Sequence, residues 1–557
     1  MAENKLLRVL GLKESISMTI GTVVGVGLFT CGSSQIGLVG SWIIGLTFVS
    51  LLVSIWPCLI YGEMSAALPE AGGTYNFAKR GLNRVWANMA GWHYIVSVVA
   101  IGAGETLAFS NYFTILMGAL GVDISWLDPR IIACTLVAIF LVLNYFGIKQ
   151  SGKAQTAFIF FFWACSICWF LYMIPKIHLE YFGGISMDKM PPFKELMYIF
   201  GLVWWCYTGF ETCVSVGGET KFPQYTLPRA LKISVFLVFA VNALFQWFLV
   251  GLIPHDLYGL LASADAPYAE GLMAAGFIGT PIILLCIAIA FGGDLSTINP
   301  GIAAPARYIY SMAEDSSLPS IFGKVHPKYK TPHYAIILVG IINFILIATG
   351  SIDYIASVSL ISLAVCYMIG CLAYMGLKRR HPELKRPYKA PYGVLGCYVT
   401  IILYIFMIFF ADSMALATAA ILSVVCIIFW YFYTQHKHNY IPTLEEEIYP
   451  LVSEIVTEYG LNPAEVILKR HKGSNSSKAD ARKYAEPEGS EAAFAMLDSP
   501  TSKIRIVLLV QIGKEGWDCK SLTGVVLPHE GACPKNMVLQ TSCRCLRQVV
   551  RGEQEKA

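Results

Sequence analysis

The string Ile20-Gly-Thr-Val-Val-Gly-Val-Gly-Leu-Phe29 decides the fold. It lies within 48 consecutive residues, Ser15 to Gly62, that contain no Asp, Glu, Lys or Arg. One bilayer span takes about 20 residues, so this stretch is long enough for two. Gly21, Gly25 and Gly27 allow the first span to unwind at bilayer depth. Unwound backbone exposes amides and carbonyls that lipid cannot satisfy, and such a break persists only where it lines a cavity. The chain is therefore expected to enclose a polar site inside the membrane.

Composition agrees. Of 557 residues, 56% are apolar and 14% charged, which implies a polytopic membrane protein and excludes an ordinary soluble enzyme. Twelve spans are expected, at roughly residues 15–38, 42–66, 86–117, 130–148, 154–176, 195–220, 230–253, 277–312, 333–350, 354–377, 393–411 and 413–433. With the N-terminus in the cytoplasm, the loops on that side carry 21 Lys and Arg through residue 389. The opposite loops carry four: Arg130, Lys176, Lys189 and Lys194. The positive-inside rule then predicts both termini in the cytoplasm and a multi-pass protein of the cytoplasmic membrane. The polar start runs straight into the first span, so no cleavable signal is expected. Twelve of the 16 cysteines fall within or at the ends of spans, where thiols fill apolar space. Cys165 and Cys168 form a C-x-x-C, but inside an aromatic helix, a context that argues against redox or metal chemistry.

Three zones follow: a membrane body at 1–433, a polar linker at 434–500, and a short soluble α/β fragment at 501–557. The linker holds the acid run Glu445–Glu447 and the stretch Gly473-Ser-Asn-Ser-Ser477. In the fragment, Ile504-Arg-Ile-Val-Leu-Leu-Val510 reads as a buried strand. Within the body, the broken first span has a counterpart five spans later: Gly201-Leu-Val-Trp-Trp-Cys-Tyr-Thr-Gly-Phe-Glu-Thr212, followed by Gly217-Gly218. Two interrupted spans at matching positions of two five-helix halves are the sign of an inverted repeat with a midplane binding site, the architecture of secondary transporters. Glycines that merely allow close helix packing are the competing explanation for either span alone.

Four stretches carry a resemblance. Gly25-Val-Gly-Leu-Phe29 resembles the signature G-x-G-[IVL]-F of amino acid–polyamine–organocation permeases. Tyr61-Gly-Glu-Met-Ser-Ala-Ala-Leu-Pro-Glu-Ala-Gly-Gly-Thr-Tyr75 is similar to the loop that follows their second helix. Gly209-Phe-Glu211 with Glu219, Pro223 and Leu227-Pro-Arg229 is similar to their sixth helix. Arg307-Tyr-Ile-Tyr-Ser-Met-Ala-Glu-Asp-Ser-Ser-Leu-Pro319 is similar to the end of their eighth. Together these cover residues 10–435. The resemblance implies an all-α fold of about 12 transmembrane helices, a five-plus-five inverted repeat with two further helices. It also implies an amino acid substrate. The amides of Val26 and Gly27, with Gly25 permitting the approach, would hold the substrate carboxylate at a half-helix N-terminus, where the dipole favours an anion. The carbonyls of Val23, Trp205 and Thr208 would accept from its ammonium, and Trp205 would close over it as an inner gate.

Some members carry a lysine in the fifth helix where related transporters hold sodium. In Gln155-Thr-Ala-Phe-Ile-Phe-Phe-Phe-Trp163 the alignment puts Phe162 at that position. Coupling is then expected from the eighth span, Gly292-Gly-Asp-Leu-Ser-Thr297, where Asp294 follows 23 uncharged residues. An acid at bilayer depth is by default a functional candidate. Asp294 and Thr297 with the carbonyls of Gly21 and Val24 would make a hard-oxygen site for sodium. Alternatively Asp294 carries a proton. Glu105 in the third span is a second buried acid. No cofactor is expected beyond Na+ or H+.

The tail resembles another family. Val510-Gln-Ile-Gly-Lys-Glu-Gly-Trp-Asp-Cys519 and Gln540-Thr-Ser-Cys-Arg-Cys-Leu-Arg-Gln548 are similar to the last two helicase motifs of type III restriction subunits, with Arg544 and Arg547 at the phosphate-binding positions and Cys543 in place of a glycine. This raises the alternative of a membrane-tethered nucleic-acid helicase. A motor also needs a phosphate loop. The only G-x-x-x-x-G-K, Gly147 to Lys153, is followed by Ala154 and comes after a membrane helix, not a strand. The fragment is therefore expected to be truncated and without function, with no nucleic-acid partner. Lipid and an amino acid are the expected partners; the oligomeric state is not legible.

Overall fold

The computed structural model describes residues 8–183, 190–434, 457, 462, 467–471 and 506–510. Two compact units divide the chain at Lys437 and His438.

The first unit is helical. Each of the twelve expected stretches is helical, with ends set by local chemistry. α1 (Leu12–Val23) stops where Val24 turns to extended backbone, a π-helical stretch Gly27–Gly32 follows, and α2 (Ser33–Val39) resumes. α3 (Trp42–Ala67) and the short α4 (Gly73–Gly81) lead to α5 (Arg84–Ala119), capped by the Asn83 side chain accepting from the amide of Trp86 at 3.1 Å. α6 (Pro129–Tyr145) starts on an Asp128 cap with proline in its first turn. α7 (Ile148–Met173), α8 (Phe193–Trp205) and the four-residue α9 (Thr212–Ser215) come next, and the expected sixth span is thus two pieces around a break. α10 (Pro223–Leu252) precedes the short α11 (Tyr258–Leu261) and α12 (Pro267–Ala274). α13 (Thr280–Ile287) and α14 (Leu295–Glu314) are joined by a second π-helical stretch, Ala288–Asp294. α15 (His333–Thr349), α16 (Ile352–Arg380), α17 (Gly393–Phe409) and α18 (Ser413–Phe429) complete the unit.

Eight of these helical stretches are long and apolar enough to cross a membrane, and α6, α15 and α17 are shorter apolar helices. The protein is a polytopic, helical membrane protein. α5 runs through the core and is buried along most of its length, packed on α14 and α16, while α3 packs on α10. Outer helices carry exposed Phe160, Leu171, Ile402, Phe409 and Ile421, side chains that only lipid would cover.

In the second unit, β1 (Ile467–His471) pairs in parallel with β2 (Ile506–Val510), Ile467 opposite Ile506 and His471 opposite Val510. The expected strand in the tail is β2. β1 falls inside the stretch expected to be a polar linker. Its short apolar start, Ile467-Leu468, finds a partner 39 residues on in the chain, which local composition does not announce. Apart from residues 434, 457 and 462, the rest of 434–500 lies outside the described residues. So do both helicase-like motifs, except Val510.

Candidate functional site

The two breaks meet. A Cβ on Gly27 would lie 3.4 Å from Cα of Cys206, and the Cys206 thiol donates to the carbonyl of Gly27 at 2.9 Å. At the second break the chain turns at Gly209, whose φ of +100° lies in the region that favours glycine. A Cβ there would come within 2.7 Å of Cγ2 of Thr22 on α1. Glycine is thus required at 209, by both backbone and close approach, while at 27 a methyl would just touch Cys206 and only a larger side chain would intrude.

A cavity of about 10 Å³, room for about one water, sits at this crossing, lined by Thr22, Val23, Gly27, Ile101, Glu105, Trp205 and Thr208. Of the residues expected to hold a substrate, Val23, Gly27, Trp205 and Thr208 therefore line this cavity, and Gly25 and Val26 do not. Trp205 is fixed from behind: its indole donates to Oγ of Ser359 on α16 at 3.0 Å, and Ser97 on α5 donates to the Ser359 carbonyl at 2.9 Å.

Two expected roles meet competition. The amide of Val26 already donates to Oε2 of Glu105 at 2.9 Å, and a Cβ on Gly25 would collide with the same carboxylate. The carbonyl of Trp205 already accepts from Thr208, from its amide at 3.0 Å and its hydroxyl at 2.7 Å. Glu105, read from sequence as an ion-coupling candidate, thus stands at the break itself. The small residues Gly102 and Gly104 before it were the signal: they let α5 come close to α14 at Gly301 and to the first break at Val26.

The expected sodium set assembles only in part. The Thr297 hydroxyl lies 2.5 Å from the Gly21 carbonyl and 3.2 Å from that of Val24. Asp294 makes no hydrogen bond to this group. It is fully buried, neither of its oxygens has a well-formed hydrogen bond, and the carboxyl it faces is that of Glu105. Residues three apart on an α-helix point roughly 60° apart, enough for Thr297 to face α1 while Asp294 faces α5. Among the described residues no cluster of three or more His, Cys, Asp or Glu could hold a metal.

The structure also changes the reading of α7. Phe162 packs against Gly292, Phe29 and Phe245. The side chain that joins α1 to α14 is Gln155, two turns earlier. Its amide nitrogen donates to the carbonyls of Ser17 at 3.0 Å and Ser296 at 2.7 Å, and its oxygen accepts from Asn299 at 3.1 Å. Gln155 is wholly buried, and a Cβ on Gly21 would strike it.

A polar vestibule of about 810 Å³, lined in part by Thr30, Gln35, Asn111, Asp128, Arg130, Asp265 and Asp353, reaches down to Leu107 and Leu202. On the opposite side Arg307 makes a two-pronged pair with Glu219, Nε–Oε2 at 2.9 Å and Nη2–Oε1 at 3.1 Å, both side chains fully buried. The amides of Val9 and Leu10 donate to the Glu219 carbonyl at 2.8 and 3.0 Å and tie the start of the chain to the same loop. Asp315 accepts from Tyr75 at 2.6 Å and Lys79 at 2.5 Å nearby in sequence on this face.

The amino acid permease family matches residues 10–432. The chain is 24% identical over 407 residues to an uncharacterized transporter of Mycobacterium tuberculosis, covering 71% of this chain and 86% of that one. It is 22% identical over 402 residues to the branched-chain amino acid permease BcaP of Bacillus subtilis, 70% and 85% of the two chains. With the glutamate/serine transporter AimA of the same organism it shares 25% identity over 438 residues, 72% and 78% of the two.

Proposed function

The chain belongs to the amino acid permease family, and from that premise we propose that it is a secondary transporter carrying amino acids across the cytoplasmic membrane by alternating access. The family and these relatives are transporters, and the protein is a membrane transporter rather than an enzyme. In this reading the eight long spans, the three shorter apolar helices and the broken α8–α9 pair make twelve, arranged as a five-plus-five inverted repeat with two further helices. Both termini are cytoplasmic, the sealed Glu219–Arg307 face is inside, and the vestibule opens outward.

The observation that carries the proposal is the crossing of two interrupted helices at Gly27 and Cys206 beside a buried cavity. Breaks of this kind leave backbone donors and acceptors at bilayer depth, where they can hold both ends of an amino acid without a fixed ion. The amide of Gly27, and that of Val26 once Glu105 moves aside, would take the carboxylate. The carbonyls of Val23, Trp205 and Thr208 would take the ammonium, under Trp205 as inner gate. Opening requires the Glu219–Arg307 pair to separate.

Transport is ion-coupled or exchanging. Two coupling routes have support: sodium at the oxygens of Gly21, Val24 and Thr297, with Asp294 swinging in as a fourth ligand, or a proton on Asp294. Uptake into liposomes under separately imposed sodium and proton gradients separates them. Asp294→Asn keeps the shape and removes the charge, so it should abolish the response to whichever gradient drives the wild type. An unchanged response would make Asp294 a structural acid. No uptake or exchange of any amino acid by correctly inserted wild type would contradict the function itself.

A further inference from the structure

We propose that the cavity at the α1 break selects ligands of net positive charge, held by an ammonium group on Glu105; this rests on the amino acid transport reading above. Glu105 is buried, accepts from the Val26 amide at 2.9 Å, and fills the space that Gly25 leaves open. The protein's own carboxylate thus occupies the place an α-carboxylate would take at this half-helix.

Asp294 adds a second acid to the site. It is fully buried, and the side chain it interacts with is the carboxyl of Glu105 rather than a basic group. Among the described residues, the other ionisable groups that interact with the pair are Tyr112 on α5, Cys31 in the π-helical stretch after the first break and Cys286 on α13. None is basic. The other cavity walls, including Thr22, Ile101, Trp205 and Thr208, bring no cation either.

An ionised carboxyl here is a buried negative charge without a counter-charge, which is costly inside a membrane. A neutral zwitterion does not balance it, because its carboxylate restores the charge that its ammonium offsets. A singly positive ligand balances it. The approach has the same bias: Asp128, Asp265 and Asp353 line the vestibule against one cation, Arg130. Fields of one sign in a cleft raise the local concentration of the opposite ion.

The test compares L-lysine with L-norleucine, which has a similar chain without the terminal charge, by equilibrium binding to the purified full-length protein. Lysine should bind wild type about ten-fold or more tightly than norleucine. Glu105→Gln should cost lysine about ten-fold more affinity than it costs norleucine, and Glu105→Asp should keep the preference. Equal affinity of wild type for the two ligands overturns the proposal, a result that needs no variant to fold. An undiminished lysine preference in folded Glu105→Gln also overturns it. Failure of all twenty amino acids to bind would instead overturn the transport reading beneath it.

Discussion

The two helix breaks differ in what satisfies them. At the first, side chains from other helices do the work: Glu105 on the Val26 amide, Thr297 on the carbonyls of Gly21 and Val24, and Tyr112 on the carbonyl of Phe29 at 2.6 Å. At the second, the turn largely satisfies itself, with the amides of Tyr207, Thr208 and Thr212 donating to Trp204, Trp205 and Gly209. Tyr367 braces it by accepting from the Gly209 amide and donating to Glu211. The Glu219–Arg307 pair lies just beyond. Side-chain contacts between helices can be exchanged for a ligand while both helices stay folded. Turn bonds cannot, and parting the buried ion pair is the larger step that opening takes. In the proposed cycle the first break therefore responds to ligand, while the turn of the second and the closed ion pair serve as the frame.

Breaking the frame should have the largest effect. Arg307→Met leaves Glu219 buried and unpaired, a loss of about 3–5 kcal/mol. The thermal unfolding temperature of the purified protein should fall, and adding Glu219→Leu should recover most of it. A single variant as stable as wild type would remove the ion pair from the frame.

Gly209→Ala comes next. It forces a side chain into left-handed backbone and against Thr22, at a cost of roughly 1–3 kcal/mol. Thr22→Ala in the same chain should relieve the collision but not the backbone strain, so thermal melts should show partial recovery. Full recovery would mean that the backbone at Gly209 is unstrained.

The same contrast marks what was legible in the sequence. The breaks were legible because glycines in an uncharged span mark where helix cannot continue. The spans were legible because lipid demands long apolar runs, as from Ser15 to Gly62. What each side chain faces was not. Asp294 and Thr297 look like one ligand set by spacing alone, yet α5 takes one and α1 the other. Phe162 and Gln155 share α7, and only its packing on α1 and α14 shows that Gln155 bridges them. Arg307 and Glu219 each belong to a recognisable motif, but their pairing joins segments 88 residues apart. Helix rotation within a bundle depends on shape fit between many side chains, and no local pattern encodes it.

Changes at the first break should cost less stability and more function. Thr297→Val removes one hydroxyl and should lower stability by about 1 kcal/mol. If sodium binds there, sodium-stimulated uptake into liposomes should also disappear. A variant with wild-type sodium response would exclude Thr297 as a ligand. The smallest effect is expected outside both breaks. A stop codon after residue 440 removes the tail and should leave thermal stability and uptake unchanged within error. Normal insertion with lost uptake would show that the tail regulates transport.

The most direct test of the central claim puts a side chain into the crossing of the two breaks. Gly27→Leu fills the cavity beside Cys206, and amino acids should no longer raise the thermal stability of the purified, correctly inserted variant. Wild type should be stabilised by its ligand in the same scan, because a ligand that binds only the folded state raises stability by mass action. Equal stabilisation of Gly27→Leu and wild type would show that the amino acid binds elsewhere.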